Sequence, residues 1–446
     1  MNYGFITIAL LFVLFISLRP LRLFGIYLNM VSGSFLAIIV LYFTQVIHTS
    51  TIKAGIIGNG SLRPWEIIII FFSVAYITIS VDITGVFSYF AYKVVYLAKG
   101  RGYRLFAFFY LFACILTTFT SNDIVILTLT PIIFYAGYHA DINIIPLLFA
   151  EYFGANTFSM LLYIGNPTNI IVGNALGLNF FEYTRIMWLP TLMAGSANLI
   201  MLFLVFRKQI TKQFSIRPDV HPRIENKTYF MTNLALLILM LISLAFSSLI
   251  GLPVWLLTFG FMIVFFLIQI TKTAGGYFIN PQILKFSHSD TVKAAKRVPW
   301  KILPFILAFF ILVQRLSEMG FVDSAARSLS HASTTIGAGG ALIGLLGLVL
   351  ANIINNQPMT ILLTSIIINN SFAVPQSILR ACAYSLIISS NLGANISLIG
   401  ALAGLMWKNI LNTQGVDIKY LFFLKKGMII TPIVFAISLF CLLSAM

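Results

Sequence analysis

RLFAFFYLFACILTTFTSNDIVILTLTPIIFYAGY, residues 104–138, is an apolar stretch interrupted at its middle by Ser121-Asn122-Asp123. Unwound backbone at membrane depth survives only where protein or a watery cavity satisfies its N–H and C=O groups. The stretch therefore reads as a re-entrant helical hairpin with a polar tip. A second stretch, about 336–370, has the same form, with Asn355-Asn356-Gln357-Pro358 at its break. Between and around these hairpins lie further apolar runs, many of them long enough, at roughly 18 residues or more, to cross a hydrocarbon layer of about 30 Å. The runs are 3–18, 23–47, 65–82, 144–177 with a break, 189–206, 229–249, 252–271, 299–316, 374–411 with a break, and 427–445.

The composition agrees. Of the 446 residues 59% are hydrophobic and only 9% charged, with a mean hydropathy of +0.98, whereas a soluble domain carries about 25% charged residues. A water-soluble fold is excluded. The run 3–18 has no basic segment before it and no small-residue cleavage site after it, so it is expected to be a retained span rather than a signal peptide. The net charge of +16 would suggest nucleic acid in a soluble protein, but here it lies in the loops between spans, and no nucleic-acid partner is predicted. Cys114, Cys382 and Cys441 sit inside apolar segments without C-x-x-C spacing, which supports neither a disulfide framework nor a metal site.

Cytoplasmic loops carry the excess of Lys and Arg. If both polar-tipped segments turn back to the side they enter from, the connections 19–22, 91–104, 207–228, 272–301 and 408–426 share one side and hold 22 of the 28 basic residues. That side is predicted to be cytoplasmic, with both termini outside a multi-pass cell membrane protein. The first hairpin then enters from the cytoplasm and the second from the exterior, so the halves are inverted. Ser121-Asn122-Asp123 matches Asn355-Asn356-Gln357 at an offset of 234, and Asn156 and Gly165 match Asn391 and Gly400 at 235. The fold class expected is an all-α polytopic membrane protein: an inverted-topology repeat with two re-entrant hairpins and two broken transmembrane helices. Residues 1–206 form the first repeat (hairpin about 104–138, broken helix about 144–177). Residues 207–228 form a basic linker kept irregular by Pro218 and Pro222. Residues 229–446 form the second repeat (hairpin about 336–370, broken helix about 374–411). Inverted repeats with broken helices near the midplane are the architecture of many secondary transporters. A homodimer, and a cytoplasmic partner or anionic lipid at the 207–228 loop, stay open.

Asp123 is the sharpest chemical signal, because an acid inside an apolar segment costs about 3 kcal/mol unless it has work to do. It reads as an ion or proton site; alternatively it caps a half-helix starting at Ile124. With it, Ser121 and Asn122 form the first tip, and Asn355, Asn356 and Gln357 the second. Gly165-Asn166-Pro167-Thr168-Asn169 breaks a helix and offers side-chain oxygens from Asn166, Thr168 and Asn169, against the simpler reading of a proline kink. Its counterpart pairs Asn395 and Ser397 with Gly393 and Gly400. Asn156 and Asn391 precede the breaks and would line the cavity or brace a carbonyl. Glu151 is a second proton site or an interfacial residue. Asp82 is expected to cap a helix at the cytoplasmic boundary. The five histidines fall at segment ends or in loops, and no nucleophile elbow or P-loop is present, so neither an enzyme nor an ATP-driven pump is predicted, and no cofactor beyond a coupling ion, H+ or Na+.

At these motifs the chain resembles the arsenite and antimonite efflux permeases of the ion transporter superfamily. The likeness rests on Ser121 to Pro131, Asn166-Pro167-Thr168-Asn169, Asn355 to Thr360, Leu392-Gly393, Ile399-Gly400 and Trp407. It implies substrate held between hairpin tips and breaks, and coupled export of arsenite, antimonite or a similar small oxyanion or neutral hydroxide. A sodium/proton antiporter or a dicarboxylate-like symporter of the same superfamily is the alternative, and a passive channel a further one. The arsenite branch has acids at the positions of Asn156 and Asn391, and Pro-Lys at those of Ala394 and Asn395; this chain lacks those charges, which leaves Asp123 and Glu151 as its acids for coupling.

Overall fold

A computed structural model describes residues 2–23, 26–58, 62–140, 142–214, 227–279 and 289–446. The helices α1 (Asn2–Leu18) and α2 (Met30–Phe43) flank a short antiparallel hairpin, β1 (Leu21–Leu23) with β2 (Ile26–Leu28), in which Leu21 pairs Leu28. The run 23–47, expected as one span, is divided because Asn29 closes a capping box: its side chain accepts from Val31 and Ser32 N–H, and Ser32 Oγ takes the Asn29 N–H. Next come α3 (Thr49–Ile57), α4 (Pro64–Ile83), α5 (Val86–Leu97), α6 (Gly102–Phe119), α7 (Asn122–Ala140), α8 (Ile145–Phe158), α9 (Pro167–Ala175) and α10 (Phe180–Phe206). A 3-10 turn, Tyr163–Gly165, precedes α9. Much of the linker, residues 215–226 with both its prolines, lies outside the described residues.

The chain continues through α11 (Lys227–Ala245), α12 (Ser247–Ile250), α13 (Val254–Ile279), α14 (Asp290–Arg297), α15 (Ile302–Glu318), α16 (Phe321–Ala332), α17 (Ile336–Ile354) and α18 (Asn356–Ile367). It ends with α19 (Gln376–Leu392), a 3-10 turn at Gly393–Asn395, α20 (Leu402–Thr413) and α21 (Tyr420–Ala445). Eight of the described helices are long and apolar enough to cross a membrane. The molecule is an all-α polytopic membrane protein apart from one small hairpin among the described residues. Both segments expected to be broken helices are broken, 144–177 into α8 and α9 and 374–411 into α19 and α20.

Burial sorts these helices into inner and outer sets. In α4, 83% of the membrane-length window is buried, against 17% in α13, so α4 stands at the centre and α13 faces lipid. α8 and α19 are buried on every side over their C-terminal halves. Lipid supplies no hydrophobic drive between helices, so close approach rests on small residues. α17 presents Gly340, Gly344 and Gly347 to α19, and a Cβ at Gly347 would stand 2.3 Å from Ser389 Oγ. The α4–α5 and α15–α16 corners both turn through a glycine at φ +80°, Gly85 and Gly320, a conformation that costs side-chain-bearing residues energy. Beyond the membrane-length helices, Lys408 ties the end of α20 to the next loop through Asp417, and that ammonium holds the Asp417 carboxyl below the usual carboxylate range.

Two short helices cross over between the halves of the chain. α3 packs on α15, where Thr51 Oγ1 donates to Glu318 Oε2 at 2.7 Å; α14 packs on α4, where Arg297 pairs with Asp82. Asp82 therefore caps no helix start. It is buried in the last turn of α4, where the helix dipole disfavours an anion, and Arg297 with Thr128 Oγ1 at 3.3 Å offsets that.

Candidate functional site

The two polar tips are helix starts. α7 begins at Asn122, and the Ser121 carbonyl accepts the Val125 N–H at 3.1 Å; Asp123 is thus in the first turn and is not its cap. α18 begins at Asn356. The preceding Asn355 has φ +71°, accepts the Gln357 N–H at 3.2 Å and donates to the Ile399 carbonyl at 2.9 Å. The Asn356 N–H reaches the Gly400 carbonyl at 2.9 Å, so the second tip is tied to the break between α19 and α20.

Both breaks meet in one buried amide network. Asn391 is its hub: Oδ1 accepts from Ser159 Oγ at 2.6 Å and Asn166 Nδ2 at 2.8 Å, while Nδ2 donates to Asn169 Oδ1 and the Ile387 carbonyl, each at 2.8 Å. Asn166 also caps α9 by accepting the Thr168 N–H. Asn169 Nδ2 satisfies the carbonyls freed at Ser159 and Leu162, which is more than a proline kink needs. Thr168 and Ser390 share a 3.0 Å hydroxyl contact. Gly165 adds no ligand; a Cβ there would lie 2.4 Å from the Ser159 carbonyl.

A second chain of amides runs to the first tip and has a fixed sense. The Phe153 carbonyl can only accept, and Thr157 Oγ1 already donates to it, so Asn395 must turn its Nδ2 toward them, at 3.5 Å each. Asn395 Oδ1 then accepts from Asn156 Nδ2 at 3.0 Å, and Asn156 Oδ1 accepts from Asn122 Nδ2 at 2.8 Å. What remains is Asn122 Oδ1, buried and without a donor. At the other tip Asn356 Nδ2 donates to the Ser390 carbonyl at 3.1 Å, which leaves Asn356 Oδ1 in the same condition, and Gln357 Oε1 beside it. Asp123 is 5% exposed, and among the described residues its carboxylate takes part in no hydrogen bond or ion pair; Tyr152 lies within its electrostatic reach.

Glu151 is fully buried within the protein. Thr130 Oγ1 reaches both its oxygens, at 2.9 and 3.1 Å, and the Trp407 indole lies beside it. Thr130 follows Asp123 by seven residues on α7, about two turns, so both acids address one face of that helix. Ser397 is turned away: its hydroxyl donates to Asn352 Oδ1 at 2.6 Å, toward α17. Ser121 is buried at the tip. Ser159 and Ser390 belong to the network, while the Tyr152 hydroxyl donates to the Ala394 carbonyl and Asn352 Nδ2 to that of Gly393, both at 3.2 Å; none of the four is among the residues the sequence motifs mark. Of these only Asn352, three residues before Asn355 in an apolar helix, carried a readable signal. No cluster of three His, Cys, Asp or Glu that could hold a metal occurs among the described residues.

The break carbonyls have a neighbour that must stay small. A Cβ on Gly427 of α21 would stand 2.4 Å from the Asn395 carbonyl oxygen and 2.3 Å from that of Ile396. Gly427→Ala is expected to lower stability by about 1–3 kcal/mol, read as a fall in Tm of the detergent-solubilised protein; an unchanged Tm would show that the break is free to move aside.

The chain is similar to known proteins over most of its length. The family described as citrate transporter matches residues 10–384. An arsenical pump membrane protein of Escherichia coli is 28% identical over 420 residues, 92% of each chain. One from Yersinia enterocolitica is 27% identical over 379 residues, 83% of this chain and 84% of that one. An uncharacterized transporter of Synechocystis is 26% identical over 420 residues, 90% of this chain and 89% of its own.

Proposed function

The chain belongs to the citrate transporter family, and from that premise we propose a secondary active transporter that exports a small neutral hydroxide of the arsenite or antimonite kind, coupled to H+ or Na+. One observation carries this reading. The side-chain oxygens left without partners at the two tips, Asn122 Oδ1, Asn356 Oδ1 and Gln357 Oε1, are all acceptors, and Asn122 is followed directly by Asp123, whose carboxylate has no partner among the described residues. Buried acceptors without donors are costly and call for a donor. A trihydroxide brings three O–H donors and no charge. Citrate would bring carboxylates against oxygens, a repulsive match. With Asn at 156 and 391 the network is neutral, so coupling falls to Asp123, with Glu151 as a second proton site reached along α7 through Thr130.

The alternative is a sodium/proton antiporter, favoured by the same oxygens, since amide carbonyls plus a carboxylate suit a hard cation. An organic-anion symporter would instead draw on the N-terminal dipoles of α7 and α18.

Alternating access by two inverted repeats is part of the proposal. It is supported by element order: α4 to α10, with the 3-10 turn Tyr163–Gly165, recur as α15 to α21, with Gly393–Asn395, and Gly85 and Gly320 lie 235 apart. The basic loops support opposite insertion of the halves, with both termini outside.

The test is flux into proteoliposomes of arsenite, sodium and citrate under imposed proton and sodium gradients. Gradient-driven arsenite movement with no citrate movement is expected. Citrate transport without arsenite transport would overturn the substrate, and flux indifferent to both gradients would make the protein a channel.

A further inference from the structure

At one membrane edge, where the end of α4 meets α5, α7 and α14, lies a cavity of about 650 Å3 that the transport site does not use. Its wall is α14, which buries Thr291 and Ala294 and turns Lys293, Lys296 and Arg297 into the space; Asp82 is the one acid among the lining residues. Asp82 is paired with Arg297, and Asp290 outside the lining binds Lys272 at 2.6 Å and Lys293 at 3.6 Å. Lys296 has no ion pair among the described residues, so the lining keeps a positive excess. Round the same corner, a groove of about 460 Å3 runs between α5, α6 and α11, lined by apolar side chains save for Thr120. The two spaces share the α4–α5 corner: Val81 and Val86 line the groove, Asp82 and Ser88 the cavity.

A cationic pocket that adjoins a hydrocarbon-lined groove at a membrane edge complements a molecule with a phosphate anion at one end and an acyl chain at the other. We propose that this corner is a specific site for one anionic phospholipid, its phosphate on Lys293, Lys296 and Arg297 and an acyl chain in the groove. A phosphate there competes with Asp82 for Arg297. Thr128, bonded to Asp82, stands on α7 five residues after Asp123, so occupancy of the site bears on the helix that carries the tip.

Native mass spectrometry of the full-length protein, titrated with phosphatidylglycerol or phosphatidylcholine in mild detergent, tests this. Wild type is expected to retain one phosphatidylglycerol at concentrations where phosphatidylcholine is lost. The double variant K293Q/K296Q, altered only at the pocket's lysines, should weaken that retention roughly thirtyfold with Tm unchanged. Leu234→Trp, which fills the groove, should weaken it with the lysines intact. Equal retention of the two lipids, undiminished retention by K293Q/K296Q, or full displacement by excess inorganic phosphate would overturn the proposal, the last by making the corner a site for a free anion.

Discussion

Asp123→Asn uncouples the protein: solute flux in proteoliposomes ceases to follow an imposed proton or sodium gradient, and its gradient-driven component falls about 5- to 150-fold, the span of a typical coupling free energy. The substitution preserves shape and removes only the charge. Because no hydrogen bond or ion pair among the described residues holds that carboxylate, nothing is left unpaired by the change, and a buried charge is removed from the membrane interior. Tm should therefore hold or rise while coupling is lost. That opposition separates a functional acid from a structural one. If gradient-driven flux survives in the variant, Asp123 is not the coupling site.

The opposite pattern is expected at the network hub. Asn391→Ala removes the acceptor of Ser159 and Asn166 and the donor to Asn169, all of them buried. Each orphaned group costs about 1–3 kcal/mol, so a loss on the order of 3–5 kcal/mol is expected, the range of a broken buried network. Ser397→Ala is the control, since its one hydroxyl bond runs to Asn352 and its loss should cost about 1 kcal/mol. Thermal unfolding of the two variants beside wild type decides the matter. Equal losses would mean that Asn391 is no hub.

Much of this architecture is legible in the sequence because lipid is an intolerant solvent: a polar residue inside an apolar run stands out, as Asn122, Asp123 and Asn355 do. The breaks at 165–169 and 393–400 stand out in the same way, through glycine with asparagine in both and a proline in the first. Less legible are the short helices. α3, α5, α14 and α16 carry charges or are too short to give a spanning signal, and β1 with β2 straddles the start of what reads as one apolar run. Ser159, Ser390 and Thr130 are hard to read for another reason. Hydroxyls are common in membrane helices, where they bond their own backbone, as Ser390 also does to the Ile387 carbonyl. Ser397 looks alike in sequence to the other candidate site residues and Asp82 reads as a helix cap, and only packing tells where their side chains turn.

The crossing of α3 onto α15 and of α14 onto α4 sets a schedule for biogenesis. A ribosome adding about 5–20 residues per second needs on the order of 10–40 s to go from Asp82 to Arg297. Throughout that interval α4 is inserted without its cover, with an anion in its last turn and no cation to meet it. The contacts that α3 and α4 make across the halves form only once α14 and α15 have been made, and slow translation of the middle of the message is expected to raise degradation of the newborn first half.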